Sequence, residues 1–143
     1  MTAQRSRKQA VAYLKYSTGI RKDCVFCEIS HESEQQLSES KYFRVIHNIF
    51  PYTVWDNQSV EDHLMLIPKM HTETLADLPA SAALEFVKLI SQYESAGYGI
   101  WARSPKSTAK SVPHQHTHLI KLSNKQIKGV VFITKPHLRL VIR

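Results

Sequence analysis

Long apolar runs are missing from this chain of 143 residues, and none approaches the length that a membrane-spanning helix needs. The N-terminus is basic, but no apolar segment follows it as in a secretory signal. We therefore expect a cytoplasmic protein with no membrane partner. The length is sufficient for one domain with its own core.

Acidic residues are few, because 12 Asp and Glu stand against 19 Lys and Arg and give a net charge of +7. Such a charge favours anionic ligands, namely nucleotides, polyphosphates or nucleic acid, without choosing among them. The sequence has no internal repeat and no recognised nucleic-acid-binding motif. A nucleic-acid partner is therefore possible, but no motif supports it.

Cysteine is nearly absent, since only Cys24 and Cys27 occur, in the segment Cys-Val-Phe-Cys. Two cysteines this close suit one metal ion or a redox pair better than a disulfide framework. A thioredoxin-like site would need a βαβ context, which the neighbouring residues do not show. Zinc would need two more ligands, which eight histidines could supply. Alternatively, both thiols are reduced and packed as small apolar groups.

Histidine, by contrast, is concentrated in Ser-Val-Pro-His-Gln-His-Thr-His-Leu-Ile-Lys at residues 111–121. In a strand, the alternating His114, His116 and His118 would line one face. Neutral imidazoles supply nucleophiles, proton carriers and metal ligands near neutral pH. The alternatives are a histidine-rich surface strand or a fortuitous metal site.

The hydrophobic pattern predicts an α+β fold, with an antiparallel sheet of about five strands, one main helix on a face and a short N-terminal helix. A basic helix is predicted within residues 1–18, ended by Gly19. The main helix is predicted at residues 78–96, with Asp77 as its cap, Gly97 as its end, and a buried stripe of Ala83, Phe86, Val87 and Ile90. Strands are predicted at residues 42–50, 63–67, 98–103, 113–122, 130–134 and 138–142, and loops at 30–41 and 52–62.

We predict two parts, a basic arm or helix at residues 1–21 and one domain at residues 22–143 with extended C-terminal strands. The arm is only weakly amphipathic. It is either a solvated segment or one that binds an anion or a partner.

Four separated motifs together resemble the histidine triad (HIT) family. They are Cys-Val-Phe-Cys at 24–27, Asn-Ile-Phe-Pro at 48–51, the segment from His63 to His71 with its Ile-Pro-Lys-Met-His ending, and the triad at 111–120. The similarity covers roughly residues 22–122. It implies a HIT-like fold, a homodimer, and an enzyme that binds nucleotides.

The resemblance also implies a mechanism. His116 would attack the α-phosphorus and form a covalent nucleotidyl-histidine, whose hydrolysis or transfer completes the reaction on a phosphorus–nitrogen or phosphoanhydride substrate. His118 and His63 would contact the phosphate oxygens or assist the leaving group. Ser111 matches a phosphate-contacting hydroxyl, Asn48 a ribose contact and Ile49 a base contact.

In zinc-binding members of the family, the positions of Cys24, Cys27, His71 and His114 hold the metal. Carried over to this chain, they form a closed Cys₂His₂ set, which implies structural rather than catalytic zinc.

This chain departs from the family pattern at several positions. Gln115 and Thr117 replace residues that are usually apolar, and Asn48 replaces an acidic residue. Arg103 occupies the place of an Asn near the phosphate, and Lys110 precedes Ser111 where a neutral residue is common. The two extra cations would suit a substrate with more than one phosphate.

Other functions remain open from the sequence. The chain could be a zinc-stabilised nucleic-acid-binding module, an enzyme that processes nucleotide-modified nucleic-acid ends, or a nucleotide sensor that does not use His116 as a nucleophile.

Overall fold

The computed structural model describes residues 3–18, 24–133 and 138–142. These ranges contain two helices, nine strands and a 3₁₀ turn at Leu75–Asp77. In chain order the helices and strands are β1 (Ala3–Gln4), α1 (Arg7–Thr18), β2 (Gln36–Glu39), β3 (Phe43–His47), β4 (Val54–Trp55), β5 (Gln58–Pro68), α2 (Ala80–Ser95), β6 (Tyr98–Ala102), β7 (Thr117–Gln126), β8 (Gly129–Ile133) and β9 (Leu138–Ile142). Of the helices in these ranges, none combines the length and apolar character that crossing a bilayer requires.

Strand β5 lies at the centre of a seven-stranded antiparallel sheet. On one side it pairs with β7, which pairs in turn with β6. On the other side its first residues pair with β4 and its last with β3, and β1 and β2 extend these two strands outward. Strands β8 and β9 form a separate antiparallel hairpin. The predicted α+β class is confirmed, with seven strands in the main sheet rather than about five.

The core is divided between the two faces of this sheet, because successive side chains of a strand point to opposite faces. The face beneath α2 buries Phe43, Val45, Leu64, Leu66, Ala82 and Leu119. The opposite face buries Met65 and Ile67 beneath Phe26 and Ile29 of the cysteine segment. His63 and His118 alternate with residues beneath α2, so their rings lie on this opposite face.

The prediction of loops at residues 30–41 and 52–62 was wrong, because each range contains strand residues. Strand β2 lies within 30–41, and β4 and the start of β5 lie within 52–62. Asp56 and Asn57 join β4 to β5 with φ angles of 47° and 59°. Two consecutive residues with positive φ make the two-residue turn whose twist suits a hairpin, and Asp and Asn tolerate that conformation.

The main helix is confirmed, but its start and its buried stripe differ from the prediction. Asp77 belongs to the preceding 3₁₀ turn, and Pro79 is the N-cap of α2 without a side-chain hydrogen bond. Val87 is 53% exposed. The side chains of α2 that pack on the core are Ala82, Phe86, Leu89, Ile90 and Tyr93. Gly97 ends the helix as predicted, with φ of 88°.

The triad strand was predicted from residue 113, but β7 begins at Thr117. The reason is local, because Pro113 has no N–H and the Gln115 N–H donates to the Thr72 carbonyl at 2.6 Å rather than to a neighbouring strand. Strand β3 likewise ends at His47, three residues early, because Asn48 Oδ1 accepts the Phe50 N–H at 2.9 Å and turns the chain.

The late strands are confirmed as the hairpin β8–β9, and the strand predicted at residues 98–103 is confirmed as β6. Helix α1 confirms the predicted N-terminal helix. Its Tyr13 and Tyr16 rings pack edge-on against Phe50, with centroids 5.6 and 5.0 Å away. Gly19, Thr134 and Pro136 lie outside the described residues. The division of the chain at residue 21 stays a prediction.

Candidate active site and metal centre

A cleft of about 600 Å³ lies on the face of the sheet away from α2. Its floor includes Met65 of β5, His118 of β7 and His116, which directly precedes β7. Helix α1, the cysteine segment and the segment after β3 form its walls, and Ser111 to Pro113 close one side. The cleft therefore brings together residues that are more than a hundred positions apart in the sequence.

His116 is buried at the cleft, with 6% of its surface exposed. Its Nδ1 lies 2.7 Å from the His114 carbonyl oxygen, which can only accept. The hydrogen of the neutral ring is therefore on Nδ1, and Nε2 keeps its lone pair. The ring lies edge-on to Phe26 and His118, with centroids 5.1 and 5.2 Å away. These contacts present one nitrogen of His116 as a nucleophile.

A backbone amide sets the tautomers of His63 and His118. The Tyr52 N–H donates to His63 Nδ1 at 3.1 Å, so the neutral His63 ring carries its hydrogen on Nε2. That Nε2–H donates to His118 Nδ1 at 2.9 Å. His118 therefore carries its own hydrogen on Nε2, which makes it a donor. The Tyr52 ring stacks on His63 with centroids 5.1 Å apart and 15° between the planes.

Asn48 has a structural contact that the sequence did not predict. Its Nδ2 lies 3.1 Å from His63 Nε2, but both nitrogens carry hydrogen in the tautomer set by Tyr52, so this contact is not a hydrogen bond. The side chain is held instead by the Phe50 N–H on Oδ1. Asn48 therefore shapes the segment before Tyr52 as well as lining the cleft.

Burial keeps His63, His116 and His118 neutral. Desolvation, with a smaller contribution from the positive charge of Arg5, lowers the pKa of His63 from 6.5 to about 4. Desolvation is also the main cause of the lowered pKa of His116, reinforced by Lys110 and Arg103. The pKa of His118 lies well below its usual value for the same reason, with His63 next in effect. Neutral rings support the single tautomers described above.

The predicted substrate residues are not all brought to the cleft. Ile49, Arg103 and Ser111 line it, and Ile49 is 47% exposed as a ligand contact would be. The Arg103 guanidinium lies 4.6 Å over the Trp101 ring. Lys110 is not among the lining residues, and its Nζ donates to the Glu73 carbonyl at 2.9 Å.

Beside the cleft, Cys24, Cys27, His71 and His114 form one cluster, with donor atoms all within 4.8 Å of one another. Nδ1 of His114 lies 3.3 Å from Cys24 Sγ and 3.6 Å from Cys27 Sγ. Nδ1 of His71 lies 3.3 Å from Cys27 Sγ. Tetrahedral zinc, with Zn–S about 2.3 Å and Zn–N about 2.0–2.1 Å, separates sulfur from nitrogen by about 3.6 Å. The donor set and its spacing therefore fit zinc.

The surroundings of His114 also fit a metal ligand. Its Nε2 lies 3.0 Å from the Pro68 carbonyl, so Nε2–H donates there and Nδ1 is left as the donor atom to a metal. The His114 carbonyl is at the same time the acceptor that fixes the His116 tautomer. His114 thus links the cysteine–histidine cluster to His116.

Four residues of the site were missed in the sequence. Tyr52 and Phe26 bracket the triad rings, and Tyr13 and Arg5 reach the cleft from the N-terminal segment. Each lies far from the triad in sequence, and only Phe26, within the Cys-Val-Phe-Cys segment, belongs to one of the motifs. The basic character of the N-terminal arm was the one available signal for Arg5.

No protein family model matches the chain. An adenosine 5′-monophosphoramidase of Saccharomyces cerevisiae is 28% identical over 102 residues, which are 68% of this chain and 61% of the yeast protein. The match therefore spans less than two thirds of that relative.

Solved structures share the fold. A HIT family hydrolase from Clostridium thermocellum aligns with a TM-score of 0.55 and 20% identity, over 80% of this chain and all of that one. A zinc-bound histidine triad family protein from Mycobacterium smegmatis aligns with a TM-score of 0.52 and 24% identity, over 71% of this chain and 76% of that one. Both comparisons agree with the resemblance seen in the motifs.

Proposed function

Because this chain has the fold of the histidine triad proteins and resembles that family in its motifs, we propose that it binds a nucleotide and transfers or hydrolyses its monophosphate group through His116. The observation that carries the proposal is the His116 ring, buried in a cleft with Nδ1–H bound to the His114 carbonyl and Nε2 available for attack. A neutral imidazole is a good nucleophile toward phosphorus and a good leaving group from it.

In the first step, the Nε2 lone pair of His116 forms a bond to the α-phosphorus while the bond from phosphorus to the leaving group breaks. The leaving atom departs with the bonding electron pair. The leaving atom takes up a proton from solvent, and His118 Nε2–H donates a hydrogen bond to it, since that nitrogen is the donor in the tautomer set through His63. His118 stays neutral and keeps its Nδ1 hydrogen-bonded to His63, because a ring with a single N–H cannot lose that hydrogen without becoming an anion.

In the second step, water or another acceptor attacks the same phosphorus, and the bond from phosphorus to Nε2 breaks. The attacking water loses its proton to solvent, and His118 keeps its hydrogen on Nε2. His116 regains its lone pair and the nucleoside monophosphate is released. Atoms and charges therefore balance over the cycle, and both histidines end it in their starting tautomers.

The other cleft residues bind and orient the substrate in this proposal. Ser111 donates its hydroxyl to a phosphate oxygen, and Ile49 contacts the base. Arg103, fixed over Trp101, holds a phosphate beyond the one attacked. Lys110 acts at most through its charge, because its Nζ is bound to the Glu73 carbonyl.

We assign zinc to Cys24, Cys27, His71 and His114, and the zinc-bound Mycobacterium smegmatis protein of the same fold supports this. Bound there, zinc supplies a structural cross-link, because four protein ligands leave no open position. His114 is thereby held with its carbonyl oxygen against His116 Nδ1.

The proposal predicts a trapped intermediate on His116. Brief incubation of the wild-type protein with adenosine 5′-phosphoramidate should add one adenylyl group, measured by intact mass. His116→Gly should lose the adduct and nearly all turnover, since a nucleophile cannot be replaced by charge or bulk, yet should still bind adenosine 5′-monophosphate.

The matched control is His47→Gly, since His47 is an exposed histidine of β3 outside the cleft. That variant should keep the adduct and the turnover. Wild-type turnover by His116→Gly would contradict the assignment of the nucleophile. A wild-type protein that binds nucleic acid but forms no adduct would favour the binding module instead.

A further inference from the structure

The N-terminal segment, residues 3–18, brings an arginine to the cleft on a fixed backbone. Before Arg5, strand β1 pairs with β4, and the Thr53 N–H donates to the Gln4 carbonyl at 2.8 Å. After Arg5, Ser6 caps the start of α1, since its Oγ accepts the Gln9 N–H at 3.2 Å. The main chain is therefore held on both sides of Arg5, and its side chain lines the cleft.

The Arg5 side chain is held as firmly as its backbone. Its Nε donates to the Phe50 carbonyl at 2.8 Å. The guanidinium carbon lies 4.2 Å from the centroid of Tyr13 and 4.4 Å from that of Tyr52. Stacking of the planar cation between two rings favours one orientation and reduces the entropy lost when it binds an anion.

The Tyr52 ring lies between the Arg5 guanidinium and His63. The Tyr52 ring that it covers stacks in turn on His63, which donates to His118. The charge of Arg5 contributes to the lowered pKa of both imidazoles, which reflects how near it lies. Arg103, also held over a ring, lines the same cleft, and none of the described lining residues is acidic. The cleft thus presents two fixed cations around its neutral nucleophile.

We propose that Arg5 is a substrate-contacting residue that binds phosphate oxygens of the nucleotide held against His116 and His118. The proposal rests on the proposed function and adds to it that the N-terminal segment completes the nucleotide site. A guanidinium suits this role because its donors match two phosphate oxygens at once. The competing explanation is purely structural, with Arg5 serving only to join α1 to Phe50 and Tyr52.

Equilibrium binding separates these two roles without relying on turnover. Calorimetric titration with adenosine 5′-monophosphate and with adenosine, which lacks the phosphate, is carried out on the full-length wild type, Arg5→Gln, Arg5→Lys and Arg7→Gln. Arg7 is the matched control, because it is an exposed arginine two residues away, outside the cleft, and its change removes the same charge. Thermal unfolding of each variant is recorded in the same buffer.

We expect Arg5→Gln to weaken the binding of adenosine 5′-monophosphate by about tenfold or more, which is the usual effect of losing a charged hydrogen bond. The affinity for adenosine should change less than about twofold. Arg5→Lys should fall between wild type and Arg5→Gln, since it keeps the charge but not the planar fork. Arg7→Gln should match the wild type with both ligands.

If Arg5→Gln loses affinity for both ligands equally, or for neither, the role of Arg5 is overturned. The proposed function still stands in that case, provided that the wild type binds the monophosphate and forms the His116 adduct. A wild type that binds neither ligand and forms no adduct would remove the proposed function, and the role of Arg5 with it.

Discussion

At the scale of single residues, main-chain atoms determine which ring nitrogen of His116 and of His63 carries the hydrogen and which keeps its lone pair. The His114 carbonyl places the hydrogen of His116 on Nδ1, and the Tyr52 N–H places that of His63 on Nε2. Backbone groups cannot exchange donor for acceptor as side chains can, so these assignments do not depend on a second titrating group. The free lone pair of His116 and the N–H of His118 are therefore set by the fold itself.

Keeping His63 neutral makes the stability of the protein depend on pH. Its pKa is about 4 in the folded protein and 6.5 when unfolded, so the unfolded state binds more protons between these values. The contribution of neutral His63 to the free energy of unfolding is complete above pH 6.5. As the pH falls to 4 this contribution is lost, and the free energy of unfolding decreases by about 3 kcal/mol. We expect the free energy of unfolding, measured by urea denaturation, to decrease across this window.

His63→Gln is the control for that experiment, because it keeps the metal cluster and the other imidazoles. Its free energy of unfolding should fall less steeply between pH 6.5 and 4. Parallel curves for the two proteins would show that His63 does not titrate in this way.

The sequence allowed the alternating histidines and the cysteine pair to be predicted from their spacing, whereas His71 and His114 were predicted as metal ligands from the resemblance to the family. Arg5, Tyr13 and Tyr52 could not be predicted, since their roles depend on β1 pairing with β4 and on α1 packing against Phe50. Those contacts are tertiary and leave no local pattern. Lys110 shows the opposite error, because proximity to Ser111 in sequence suggested a contact with substrate, whereas its side chain turns to Glu73.

At the scale of elements, the metal cluster joins the cysteine turn to two segments of the sheet region that are already connected to each other by the pairing of β5 with β7. Cys24 and Cys27 lie in a turn, with the Cys27 N–H on the Cys24 carbonyl at 2.9 Å, His71 follows β5, and His114 precedes β7. No strand pairing includes the cysteine turn among the described residues. Its attachment depends on the cluster and on Phe26 and Ile29 in the core.

We expect one zinc per chain by elemental analysis of protein purified without chelator. Stripping it should lower the thermal midpoint by roughly 10 °C, since a closed Cys₂His₂ site contributes several kcal/mol to folding. Cys27→Ser should show a similar loss before any chelator is added. Protein that contains no stoichiometric zinc, or that keeps its midpoint after chelation, would contradict the assignment.

The strands were predicted where apolar residues alternate and missed where the pattern is polar. Residues 58–62 of β5 include Glu61 and Asp62, and they belong to the strand because β4 and β7 pair on either side of it. The Asp56–Asn57 turn was a usable signal, since these residues accept positive φ. Strand β2 is short and half exposed, so its membership in the sheet comes from pairing with β3 alone.

At the scale of the whole molecule, the two faces of the sheet have different coverings. One face is buried by α2, and the other holds the cleft and the metal cluster. The net charge of +7 draws anions to the molecule, and Arg5 and Arg103 give that charge a specific place at the cleft. The homodimer implied by the family resemblance stays a prediction, which light scattering can check.

The start of β7 at Thr117 has a consequence for the rates of internal motion. His118 lies on a strand held by two neighbours, whereas His116 lies before it, next to a Gln115 N–H bound to Thr72. The amides of residues 64–66 and 118–120 should exchange with deuterium only as slowly as the whole sheet opens. The Gln115 amide should exchange at a similar rate in the zinc-loaded protein and many times faster after chelation, with residues 118–120 much less affected. On the scale of minutes to hours, the position of His116 would then depend on the metal cluster and not on the sheet.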